Sequence, residues 1–374
     1  GLEVYDSVFI RNHGSKGGVM FTAQDARAQF HDCVFLENTS NGSGAFRIAV
    51  SGSVDFVDCV FEGNVSNGVG GAINTFSPQT STARRCLFKN NEAIEGGGAI
   101  CIGGSSSMML EDCVFEHNSS SGGGAIQIIG DGFSQIRRST FQGNSATIGG
   151  AIEIGENSTS KVEDCTFENN DSSKGSGAIH TLGSSTANLW RSIIKNNTGF
   201  KGGGLYVGEQ SNVSANHCLF VKNVASQAGG AIGIYLQGAF SASNCTITDN
   251  NCDNVSGGVA WHSSGDLTLV NSVIVYNPSK SWADLRLSGN GTASVSYCCS
   301  PVQCEGVGNI TNAPLFLDRD GDDYRLANDS PCIDAGSPET ADFVDLDGII
   351  GPVDGNFDGS VVTDIGAYEF SSSH

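Results

Sequence analysis

A period of 26 or 27 residues runs through most of the chain and limits what it can fold into. Asparagine recurs at 12, 38, 64, 91, 118, 144, 170, 197, 223, 250 and 277, each step being 26 or 27 residues. A second motif, Gly-Gly-Ala-Ile, follows each Asn, with its last slot held by Val19, Phe46, Ile73, Ile100, Ile126, Ile152, Ile179, Leu205, Ile232 and Val259. A repeat of this length implies a solenoid, because one unit cannot bury its apolar face alone. Within each unit apolar residues alternate, as at Cys59 and Phe61, Ile100 and Ile102, or Ile152 and Ile154. Period two means strands. The expected fold is all-β: a right-handed parallel β-helix of about ten coils over residues 1–295, three short strands per coil, then a capping tail over 296–374. The 51 Gly against 7 Pro fit many tight turns between ordered segments. Leucine-rich repeats share the period but need several Leu per repeat, and propeller blades need roughly 40 residues or more.

In-register stacking places equivalent residues about 4.8 Å apart, where like charges repel. The pairs before the Cys slot read Arg84-Arg85, Glu111-Asp112, Arg137-Arg138 and Glu163-Asp164, and then Trp190-Arg191. The alternating sign fixes register independently of the apolar slots. The recurring Asn residues, among them Asn38, Asn64, Asn91, Asn118, Asn144, Asn170, Asn197 and Asn223, are expected to form a ladder of stacked amides. A slot holding Cys33, Cys59, Cys86, Cys113, Ser139, Cys165, Ser192, Cys218, Cys245 and Ser272 reads as small, inward and unbridged. Disulfides are expected instead among Cys298, Cys299, Cys304 and Cys332.

The formal net charge of −21 argues against nucleic acid as a partner. No apolar run is long enough to cross a membrane as a helix. The chain starts without Met and directly inside the repeat, which reads as a processed or excised piece whose first coil stacks on something. Thirteen Asn-x-Ser/Thr sequons occur, and Asn41, Asn157, Asn212, Asn290 and Asn309 stand outside the ladder as candidates for glycans. Asp354-Gly-Asn356-Phe-Asp358-Gly359 matches the start of an EF-hand-like loop, with Asp364 as the later acidic residue, so calcium is the expected cofactor. Asx-turns without metal are the other reading of these residues.

The paired motifs Gly-Gly-Ala-Ile and Phe-x-x-Asn, the latter at Phe35/Asn38, Phe61/Asn64, Phe88/Asn91, Phe115/Asn118, Phe141/Asn144, Phe167/Asn170 and Phe220/Asn223, resemble the repeats of the chlamydial polymorphic membrane proteins. The resemblance covers roughly residues 1–280 and implies a surface β-helix passenger, often adhesive. The membrane-barrel translocator of that family has no counterpart here, so its secretion route is not implied. The tail, with Ser330-Pro-Cys-Ile-Asp-Ala-Gly336 and Asp364-Ile-Gly-Ala-Tyr-Glu369, resembles a segment that closes secreted β-helix proteins and is expected to cap the open end.

Two outward rows carry the functional candidates. The residue after each Ile slot gives Arg47, Asn74, Cys101, Gln127, Glu153, His180 and Tyr206, and the last three are the catalytic candidates for a polysaccharide lyase. The second row, Val34, Val60, Leu87, Val114, Thr140, Thr166, Ile193, Leu219, Thr246 and Val273, is an apolar ridge suited to a lateral partner. The favoured reading is an extracellular structural or adhesive surface protein, a filament subunit or part of a larger assembly, that self-associates through its first coil and ridge. The alternatives are a polysaccharide lyase or hydrolase and a carbohydrate-binding module on the same face.

Overall fold

The computed structural model describes residues 1–338 and 342–371. The repeat folds into a parallel β-solenoid of about eleven coils, and no α-helix occurs among the described residues. Each coil contributes four strands rather than three, to sheets A, B, C and D of 12, 11, 10 and 11 strands. One coil runs Ser53–Val57 in A, Val60–Glu62 in B, Val65–Ser66 in C and Ile73–Phe76 in D. Sheet C escaped the sequence pattern because most of its strands have only two to four residues, too few to show alternation.

The corners explain why one repeat makes four sheets. The residue before the Cys slot takes a left-handed conformation, as at Asp58, Arg85, Asp112 and Asp164, and so does the residue before the ladder Asn, as at Asn90, His117 and Asn169. Such a residue turns the chain sharply, and Asp and Asn tolerate it best. The turn into sheet D uses glycine at the same conformation, for example Gly97 and Gly123.

Register follows the sequence pattern closely. Arg84 pairs with Glu111, Glu111 with Arg137, and Arg137 with Glu163. Arg138 forks onto Asp112 at 2.8 and 3.2 Å, and Arg191 onto Asp164 at 2.7 and 2.9 Å. These pairs are largely exposed, so they specify register more than they stabilise. One slot moves: Met20, not Val19, pairs with Phe46.

The Asn ladder is continuous from Asn12 to Asn277. At each rung the backbone N–H and side-chain amide both donate to the Oδ1 of the next Asn, and the amide also donates to the carbonyl of a residue in the Phe column. The ladder ends on Asp284, which accepts both donors of Asn277 at 2.8 and 3.0 Å. A terminal rung has no further amide to donate to, so an acceptor-only carboxylate serves there. Beside the ladder the Phe rings stack face to face: Phe61, Phe88, Phe115, Phe141 and Phe167 have centroids 4.6–4.8 Å apart and planes within 5°. All are fully buried, so the column adds ring–ring contact to apolar burial.

All thirteen cysteines are free thiols, and those of the inward slot are buried. The disulfides expected among Cys298, Cys299, Cys304 and Cys332 are not formed. The Cys299 thiol donates to the Asn312 carbonyl at 3.1 Å and packs with Cys332 of the tail in one buried cluster, where its closeness pushes the Cys332 thiol up.

The tail departs from expectation. The chain stacks on the end of the solenoid only as far as the bridges of Cys299 with Val273 and with Ile310. It then turns back along the outer side of sheet B. Tyr324 packs on Leu219 and Val221, and Leu326, Cys332, Ile333 and Ile365 pack with Val273 and Val275. Ala367 N–H donates to Thr246 Oγ1 at 3.0 Å, and Arg319 Nε donates to Asp249 at 3.0 Å. The tail thus covers one end of the apolar ridge. Leu219, Thr246 and Val273 are buried, while Val34, Val60, Leu87 and Val114 stay half-buried. The ridge's partner at this end is the chain itself.

Candidate functional site

The row after the Ile slot is assembled as expected: Gln127 pairs with Glu153, Glu153 with His180, and His180 with Tyr206 along sheet D. It is not open to solvent. Glu153, His180 and Tyr206 are each only 8 % exposed. The cause is the glycine turn leading into sheet D, whose backbone lies over the row. A Cβ at Gly122 would stand 2.1 Å from Glu153 Oε2, and one at Gly175 2.9 Å from His180 Nδ1. The sheet C–D edge is therefore a notch filled by the row.

Burial sets the chemistry of these groups. Glu153 is raised, chiefly by desolvation, and accepts from Gln127 Nε2 at 3.0 Å. His180 is lowered to about 3 by desolvation, its Nδ1 accepts from Ser176 N–H at 3.3 Å, and its ring stacks on Tyr206 at 4.4 Å. Tyr206 is pushed up to about 12, again by burial. A proton-transfer pair is effective when its pKa values lie near the working pH and it reaches substrate. This trio is sealed, and burial works against the charged form of each member.

The notch opens where the row runs out of large side chains. Tyr206 is followed in register by Gly233 and Ala260, and then by Arg286. Above Ala260 lies a hollow of about 260 Å³, lined by Lys201, Gln227, Tyr235, Asn254, His262 and Arg286 among others. The Tyr235 ring turns over Gly233 and stacks on Tyr206 at 5.9 Å, while Lys201 Nζ sits 4.9 Å from its centroid. His262 lies next along the column, 6.1 Å from Tyr235, with Nδ1 bonded to Ser288 Oγ at 3.3 Å. The sequence did carry a signal for this hollow, namely the switch from His180 and Tyr206 to Gly233 and Ala260 within one row.

Other candidates are placed differently. Asn356 and Asp358 each accept from the N–H two residues on, at Asp358 and Ser360, forming Asx-turns, while Asp354 accepts from Gly359 N–H five residues on. Asp364 instead accepts from the N–H groups of Asp334 and Phe370. Among the described residues no three His, Cys, Asp or Glu side chains converge as a metal cage. Asn41, Asn157, Asn212 and Asn290 are exposed. Asn309 is not a free acceptor for a glycan: its amide donates to Val295 and Cys304 carbonyls at 2.9 and 3.3 Å, and its oxygen accepts from Cys298 N–H.

Asp364 and Glu369 lie buried in the tail with Asp345 and Asp334 nearby, and burial first of all pushes them up to about 8 and about 7. Folded-state values above the unfolded ones mean that the folded tail holds more protons. Its stability is therefore greatest below about pH 4 with respect to these groups, and falls as pH rises towards 8. The tail is expected to resist protease better at pH 6 than at pH 9, with Asp364→Asn plus Glu369→Gln flattening that difference; an unchanged slope in the double variant would remove these groups as its source.

Two family models match parts of the repeat region. Residues 71–239 match the family model described as a right handed beta helix region. Residues 58–75, spanning Phe61, Asn64 and Gly-Gly-Ala-Ile73, match the Chlamydia polymorphic membrane protein repeat. No curated protein and no solved structure matches the chain. No helix among the described residues is long and apolar enough to cross a membrane.

Proposed function

We propose that this β-helix is an extracellular surface protein with a structural or adhesive role. The observation that carries the reading is the sealing of Glu153, His180 and Tyr206 beneath the glycine turns of a rod locked by an unbroken amide ladder. That arrangement uses the residues best suited to proton transfer as packing, which favours display and binding over turnover. The match to the polymorphic membrane protein repeat supports a place at the cell surface.

Antibody raised against the folded protein is expected to stain intact cells that produce it. Staining only after permeabilisation would overturn the surface reading. The lyase alternative predicts release of unsaturated products from acidic polysaccharide, lost in His180→Ala and Tyr206→Phe. The sealed row leads us to expect no such release.

A further inference from the structure

We infer that the hollow over Ala260 binds a single anionic sugar ring, one carrying a carboxylate or a sulfate. Three features of the lining point to this ligand. The first is charge. The chain carries 40 acidic and 19 basic residues, yet this cavity is lined by Lys201, Arg286 and His262 and by no carboxylate. Neither Lys201 nor Arg286 has an ion-pair partner among the described residues: Lys201 lies over the Tyr235 ring, and Arg286 lies 6.0 Å from the Trp282 ring. Asp253, next to Asn254 of the rim, is exposed and stands outside the lining, so the groups that face the hollow carry positive and not negative charge.

The second feature is an aromatic wall. His180, Tyr206, Tyr235 and His262 form a graded stack from the sealed part of the row to its exposed end. Its outermost member, His262, is exposed and offers ring surface to the apolar face of a sugar, while Tyr235, packed between Tyr206 and His262 with Lys201 over its ring, backs the hollow. The third is a set of amides. Asn254 is exposed at the rim, where its amide can donate to and accept from a hydroxyl, and Gln227 also lines the hollow. The volume of about 260 Å³ lies just under the range of about 300–1,000 Å³ for small-molecule sites, which suits one ring rather than an enclosed chain.

This inference rests on the adhesive reading only in taking the groove as the place where an outside ligand is met. The test is saturation-transfer NMR and calorimetry on the whole protein with glucuronate, a sulfated N-acetylglucosamine and neutral glucose. Binding is expected for at least one charged sugar, weakening as NaCl is raised, and at least tenfold weaker in K201M/R286M, with Lys201→Arg retaining it. Tyr235→Leu is expected to weaken it similarly, with circular dichroism confirming that each variant is folded. The carboxylate and sulfate arms identify which anion is preferred, and either supports the site. Equal binding of glucose, undiminished binding in K201M/R286M, or no binding of either charged sugar would overturn it. None of those failures touches surface staining, so the two readings fall separately.

Discussion

Asn144→Leu is expected to destabilise the solenoid by on the order of 4 kcal/mol. The leucine fits the volume but makes no hydrogen bond. Asn144 Oδ1 accepts from both the backbone N–H and the side-chain amide of Asn118, and its own amide donates to Phe115 carbonyl and Asn170 Oδ1, all at 2.9–3.0 Å. Asn144 is fully buried, so water cannot replace these partners. Each donor or acceptor stranded this way costs about 1–3 kcal/mol, and at least three are stranded here. Urea unfolding gives the measurement, with Asn212→Leu at an exposed strand position as the control, expected within about 0.5 kcal/mol of the parent. Because each coil touches only its neighbours, hydrogen exchange should rise first in the coils holding Asn118 and Asn170. A variant as stable as the control would mean the ladder is ornamental. Asn144→Asp is expected to fall between the two, since it keeps the acceptor and loses both donations; Asp284 succeeds only because it is the last rung.

Val273→Asp is expected to release the tail while leaving the solenoid folded. Val273 points out of sheet B and is fully buried beneath Cys332, Ile333 and Ile365. A carboxylate there has no cation beside it and must either undock the tail or remain unpaired in an apolar contact, at a cost on the order of 3–4 kcal/mol. Every 1.4 kcal/mol is tenfold, so the undocked population should rise by roughly a hundredfold or more. Limited proteolysis would show faster cleavage beyond residue 300, with the repeat region still protected. Val60→Asp occupies the same row where no tail lies and is half-buried, so it should leave cleavage unchanged. Equal protection of the tail in both variants would refute the docking.

The sequence alone determined the repeat, the strand register, the amide ladder and the alternation of charged rungs. Each of these is a contact between a residue and its equivalent 26 or 27 positions on, so periodic contacts leave a periodic trace. Phe115 stacks on Phe141, and Arg138 meets Asp112, because every coil repeats the same grammar. Tertiary structure decided what has no such period. Thr246 meets Ala367 across 121 residues, and Asp249 meets Arg319 across 70, so the ridge gave no sign that its partner was the chain's own tail. One local hint existed: the outward sheet B position changes from Glu62, Lys89 and Glu116 to Val221, Thr248 and Val275 where the tail lies. Whether Glu153, His180 and Tyr206 were exposed depended on backbone, not on their own row. Glycines one coil before Glu153 and in the turn just ahead of His180 let the chain close over them, and the notch opens towards solvent past Tyr235, where the row holds only Ala260.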